Sequence, residues 1–304
     1  MLLYTHRSAD DHVNPPGHPE QVARLPAVLA ALEGLALDRR EAPVAEDAEV
    51  LRCHPARLLA RLRQATPEDG WSMLDADTQL SAGSVNAALR AVGGACAAVD
   101  AVLGGESRRA FVAMRPPGHH AETDRPMGFC LFGTVAIAAR RALDLHGLER
   151  VAVLDFDVHH GNGTQDLLWD EARALFVSSH QMPLYPGSGA ASERGAHGQI
   201  VNLPLPPGSD GASARSQWAG ALARVRDWGP ELVLVSAGFD AHAADPLANL
   251  MWREADFAAL TRDICALADE AGAPVVSSLE GGYDLAALGR SARAHVEAML
   301  ESES

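Results

Sequence analysis

The chain has 304 residues, 47% hydrophobic and 21% charged, which fits a globular fold with a sizeable core and excludes a disordered chain. Its formal net charge is −15, which argues against nucleic acid or an anionic membrane as a partner. The 25 basic residues are all arginine, which excludes a Schiff-base lysine, a phosphate-loop lysine and a lysine-anchored pyridoxal cofactor, and any modification of its own lysines in cis.

The start, Met1 to Arg7, lacks a basic-then-apolar leader, and no apolar run reaches the ~18 residues that span a bilayer. Apolar periodicity predicts helices over 21–32 and 84–103, then a strand over 110–114 and a helix over 133–145. Strands follow over 151–156 and 174–178, a helix over 212–227 and a strand over 231–237. A helix over 252–271 and a strand over 274–279 complete the pattern, and 301–304 reads as a tail. The strands are continuous apolar runs, so both faces should be covered. Their alternation with helices predicts one parallel sheet with helices on both faces, in a single domain over 1–304. Cys53, Cys96, Cys130 and Cys265 form no C-x-x-C pair, so neither a disulfide scaffold nor a zinc-thiolate site is expected, and a reducing cytoplasm is.

Each predicted strand runs into a polar or glycine-rich segment: Arg115–His120, Asp157–Gly163, Ser179–Gln181, Gly238–His242 and Glu280–Asp284. In a parallel sheet these ends share one edge, where such folds place their sites.

Asp157 and His159 are two residues apart, so an extended backbone points both side chains one way. Asp240 ends a different strand. Two carboxylates and a neutral imidazole make a three-ligand site with positions open for water and substrate. An imidazole without thiolates favours zinc, with iron(II), manganese and cobalt left open. A lone Asp-x-His is usually a strand-end cap; Asp240, His119 and His120 on neighbouring ends tip the balance toward a metal site.

His119 and His120 follow a stiff Pro-Pro-Gly turn and, if extended, project in different directions. One can take a proton from water and return it to a leaving amine. Asp155 is placed to hold a histidine tautomer. Tyr283, after two glycines, can donate to an oxyanion, although a structural tyrosine is the commoner fate. His54, His146, His197 and His295 read as surface or loop residues, and His242 as a neighbour of Asp240 rather than a ligand. Phe129, after Gly128, and Tyr185 on an opposing loop can wall a narrow apolar tube, although core packing is the commoner fate of a phenylalanine, and Cys130 reads as a buried thiol.

Taken together, Arg115–Ala121, Gly128–Cys130, Asp155–Gln165, Ser236–Asp240 and Leu279–Asp284 resemble the zinc-dependent histone deacetylase superfamily. The flavour is that of the bacterial class II-like group, which includes acetylpolyamine amidohydrolases. The resemblance begins at His12–Glu20 and covers nearly the whole chain. It implies the arginase/deacetylase α/β fold, with the active site at the C-terminal strand ends. It implies one zinc ion on Asp157, His159 and Asp240, and a histidine dyad in which His120 is the general base and acid. It implies Asp155 behind His119, Tyr283 on the amide carbonyl, and Phe129 and Tyr185 as tunnel walls. Arg24 would line an internal channel behind the metal. A potassium ion would sit by Asp155, Asp157, His159, Ser178 and Ser179. Homo-oligomers are a further expectation.

Asn162 stands where class I members carry an aspartate, which should leave His120 less basic. Gly133 and Thr134 replace a common pair of asparagines. Leu247 stands where polyamine-selective relatives can carry a glutamate, so acyl-lysine is favoured over acetylpolyamine. The expected activity is hydrolysis of an N-acetyl or other short acyl amide on a lysine or a similar amine. The alternatives are an acetylpolyamine amidohydrolase, a silent acyl-lysine binding module and a dinuclear arginase-like ureohydrolase.

Overall fold

The computed structural model describes residues 1–301, so the tail expected over 301–304 lies outside it apart from Glu301, which ends a helix. In chain order the strands are β1 (Leu2–Thr5), β2 (Asp38–Glu41), β3 (Ser72–Met73), β4 (Gln79–Leu80), β5 (Arg109–Val112), β6 (Val151–Asp155), β7 (Ala174–Gln181), β8 (Ile200–Leu205), β9 (Leu232–Ala237) and β10 (Val275–Leu279). The helices are α1 (Arg24–Ala31), α2 (Asp47–Val50), α3 (Ala56–Ala65), α4 (Ser84–Leu103), α5 (Thr134–Asp144), α6 (Asn162–Leu167), α7 (Gly211–Trp228), α8 (Glu254–Glu270) and α9 (Leu285–Glu301).

Eight strands form one all-parallel sheet in the order β2-β1-β5-β10-β9-β6-β7-β8. The chain builds one flank with β1, β2 and β5, crosses to build the other with β6, β7 and β8, then fills the gap with β9 and β10. That reversal opens a crevice at the C-terminal ends of the central strands. Asp155 at the end of β6 pairs with Ser236 of β9 and Ser178 of β7, so these three ends lie side by side.

The central strands are buried along their whole length, as their continuous apolar runs require. Helices α4 and α5 pack together on the sheet, while α1, α9, α8 and α7 form a second row of neighbours. Asp210 accepts from Ser213 N to start α7, and Gly229, at φ 67°, ends it. Helix α4 corrects the bilayer expectation: by length and composition it could cross a membrane. Here it is a core helix, its alanines and glycines packed against β1, β5 and α5. β1, β2 and β8 are too short or too polar to have stood out in the sequence.

A smaller apolar cluster joins Leu58, Leu59 and Leu62 of α3 to Val92 of α4, Leu80, Leu131 and Phe132. It sits beneath the β3–β4 hairpin and the segment carrying Phe129. The Thr78 hydroxyl accepts from Phe129 N at 3.0 Å and ties the two together.

Candidate active site

The loops after β6 and β9 bring Asp157, His159 and Asp240 together. Their ligand atoms lie within 4.8 Å of one another, and all three residues are buried. The segment beyond β6 is bent rather than extended, contrary to the sequence expectation, and the bend itself closes His159 Nδ1 to 3.1 Å from Asp157 Oδ1. Asp240 Oδ2 is 3.2 Å from the same nitrogen. Backbone N–H groups fix the carboxylates. Gly281 N donates to Asp157 Oδ2 at 2.8 Å, and Val158 N donates to Asp240 Oδ1 at 2.8 Å.

Glycines press on the far side of these groups. A Cβ at Gly238 would overlap the Asp157 carboxylate, one at Gly281 would overlap Asp240, and one at Gly161 would overlap Asp155. The electrostatics call for a cation. Burial disfavours a charged His159, yet Asp157 and Asp240 outweigh it and push its pKa up to about 10. Burial and the Asp157 charge push Asp240 up to about 7. Two buried carboxylates that draw a proton onto their own imidazole partner fit a divalent ion of the zinc type.

His119 and His120 lie in a turn beyond β5, and the turn corrects the expectation that they diverge. Their rings pack with centroids 4.1 Å apart. Each Nδ1 still finds its own partner: His119 donates to Asp155 Oδ2 at 3.0 Å, and His120 Nδ1 is 2.6 Å from Asn162 Oδ1. Burial and the neighbouring His119 and His159 hold His120 well below the usual imidazole range, so it is neutral near pH 7. The buried Cys130 Sγ accepts from His120 N at 3.5 Å, which makes the thiol a support.

A cavity of about 240 Å³ opens above the triad, lined by His120, His159, Gly128, Phe129, Leu184, Tyr185, Leu247, Tyr283 and Asp77. Gly128 has φ 57°, and a Cβ there would strike the His120 ring. Phe129 has φ 69°, a conformation that costs a bulky side chain about 1–3 kcal/mol. Its ring stands edge-on to Tyr283 at 5.8 Å. Burial holds the Tyr283 phenol well above its ordinary pKa against the opposing pull of Arg24, so it stays a donor. Arg24 is fully buried, 5.0 Å from the Tyr283 ring centre. Its guanidinium donates to Glu20, Gly282 O and Glu280 O. Ser178 Oγ meets His180 Nδ1 at 3.0 Å, and the buried Ser179 hydroxyl has no partner among the described residues.

Several supporting groups escaped the sequence reading. Glu280 is buried and accepts from Gly118 N at 2.6 Å and His119 N at 3.2 Å, so it clamps the histidine turn. It stands inside the Leu279–Asp284 motif, which was the available signal. Asp245 accepts from Tyr283 N and Leu247 N and so sets two pocket walls at once. Asp77 sits between two-residue strands, where no periodicity could flag it. His54 and His295 are buried rather than superficial. His54 bridges Thr123 O and Gly133 N, and His295 bridges Thr261 and Ser277. His146 and His197 are exposed. His242 turns toward Glu254, 3.5 Å away. Gly133 precedes α5 as its N-cap, where an added Cβ would meet the tip of the Leu167 side chain.

Comparison with known proteins gives a consistent picture. The model of the histone deacetylase domain matches residues 18–299. A histone deacetylase-like amidohydrolase of Pseudomonas aeruginosa is 40% identical over 285 residues, covering 89% of this chain and 74% of that protein. The chloroplastic histone deacetylase 14 of Arabidopsis thaliana is 37% identical, covering 100% and 77%. The crystal structure of the HDA15 HD domain superposes with a TM-score of 0.93 at 29% identity, covering 99% of this chain and 91% of that one.

Proposed function

The chain belongs to the histone deacetylase family, a group of amide hydrolases, and from that premise we propose that it is a zinc-dependent deacylase acting on N-acetyl-lysine side chains or similar short acyl amides. The observation that carries the reading is one apolar cavity holding His159, His120 and Tyr283 together at its lining.

Asp157, His159 and Asp240 would hold the ion, which when bound supplies Lewis-acid polarisation at the amide oxygen. The remaining work falls to the chain. Phe129, Leu184, Tyr185 and Leu247 admit a flexible aliphatic arm and exclude bulk water. His120, neutral, takes the proton of the attacking water and later delivers it to the departing amine. Tyr283 donates to the oxygen on which negative charge develops. His119, bonded to Asp155, stands behind this pair. A potassium ion belongs to the same reading, near Asp155 and the Ser179 hydroxyl, which has no partner among the described residues. So do a single domain over the whole chain and a cytoplasmic setting.

Leu247 favours acyl-lysine, because an apolar side chain at that position adds no charge for a polyammonium substrate beyond the single Asp77 carboxylate of the lining. An acetylpolyamine amidohydrolase would use the same chemistry. A panel of acylated peptides and acetylpolyamines, run on metal-quantified protein, decides between them. Chelation should abolish turnover and zinc should restore it. Full turnover at undetectable metal would end the reading.

A further inference from the structure

His120 has no carboxylate in direct contact; its Nδ1 faces the amide oxygen of Asn162 at 2.6 Å. An asparagine can turn either end toward a ring nitrogen, and its oxygen only accepts while its nitrogen only donates. Something beyond it must choose the end. Asn162 Nδ2 lies 2.8 Å from Glu122 Oε1, and an ionised carboxylate can only accept. The other acceptors near Nδ2 are weaker: His120 O at 3.5 Å and Met127 Sδ at 3.4 Å. With Nδ2 committed to Glu122, the amide oxygen is left for His120. The single N–H of neutral His120 must then sit on Nδ1, which leaves Nε2 bare for the cavity.

Glu122 is well placed to hold this arrangement. It follows His120 by two residues, is half-buried, and its backbone is pinned by a pair of hydrogen bonds with Arg125. Asn162 starts α6 and is buried.

We propose that Glu122 is a positioning residue for His120: through the Asn162 amide it selects the Nδ1–H tautomer and lends its charge to the imidazolium formed in turnover. This rests on the reading of His120 as general base.

The test uses zinc-loaded protein labelled with 15N-histidine, with His120 signals assigned by their loss in His120→Ala. The wild type should show His120 protonated on Nδ1. Glu122→Gln and Glu122→Ala should show mixed tautomers. Their kcat on an N-acetyl-lysine peptide should fall about tenfold with KM nearly unchanged, the share of a general base lost by misorientation. If Glu122→Ala fails to fold, the isosteric Glu122→Gln carries the test alone. Asn162→Asp should lower kcat further, since it sets two carboxylates against each other. Adding Glu122→Gln to it should recover activity several-fold, because the new amide can donate to the new carboxylate and KM stays level. An unchanged tautomer with unchanged kcat in the Glu122 variants overturns the proposal. So does a double variant no better than Asn162→Asp. Wild-type protein that releases no acetate would sink the deacylase reading instead, and the tautomer is read without turnover.

Discussion

His119 donates from Nδ1 to Asp155 Oδ2 across 3.0 Å, both residues buried, and so ties the loop after β5 to the end of β6. Burial alone would lower the His119 pKa, but the charges of Asp157 and Asp155 outweigh it and hold the ring well above its ordinary value. Asp155→Asn keeps the shape and removes the charge. It should cost kcat about 10–100-fold with a small change in KM. Turnover near wild type would reduce Asp155 to packing.

His120 and Tyr283 act at the reacting atoms in the proposed mechanism, so their loss should be larger. His120→Ala and Tyr283→Phe should each cut kcat at least ~100-fold, the scale of losing a general base or an oxyanion donor. Melting temperature should barely move for Tyr283→Phe, because the hydroxyl makes no hydrogen bond among the described residues. A variant with near-normal kcat would remove that residue from the mechanism.

Leu247 lines the cavity and Asp245 holds its backbone N–H at 3.0 Å, so a longer acid at that position would reach the mouth. Leu247→Glu should raise kcat/KM for acetylspermidine relative to an acetyl-lysine peptide by about tenfold, one charge pair at a partly desolvated rim. Equal ratios in the two proteins would show that selectivity is set elsewhere.

His295 makes the acid side of the stability curve steep. It lies among Phe111, Phe156 and Phe239, and burial pushes its pKa down to about 3. The unfolded chain takes up the proton near pH 6.5, whereas the folded chain resists until about pH 3. Stability is therefore lost as pH falls below 6.5. At pH 5 the loss from this one group is about 2 kcal/mol. His295→Gln should lower stability at pH 7.5 yet flatten its fall toward pH 5 by roughly that amount, read by urea unfolding at each pH. Parallel pH profiles would place the acid sensitivity elsewhere.

The core strands and long helices were legible because their apolar runs leave little choice of structure; α4 was read to the residue. The flanking β1, β2 and β8 were not, since short or polar strands carry no clear period. The Asp157, His159 and Asp240 cluster and the histidine pair stood out because unusual residue types recur at strand ends. Glu280 lay inside the Leu279–Asp284 motif without a role of its own, and Asp245 and Glu122 did not stand out, because a carboxylate that serves backbone or amide N–H groups looks in sequence like any surface acid. His54 and His295 were misread for the same reason: the partners that bury them lie tens of residues away.

The bare backbone behind the carboxylates sets what this enzyme is free to become. Leu247 and Tyr185 border open space, so substrate preference can drift there one residue at a time. Gly161, Gly238 and Gly281 leave no room for even a methyl group, and each guards a different acid. The catalytic floor can be inherited or abandoned, but it offers no small steps along which to be retuned.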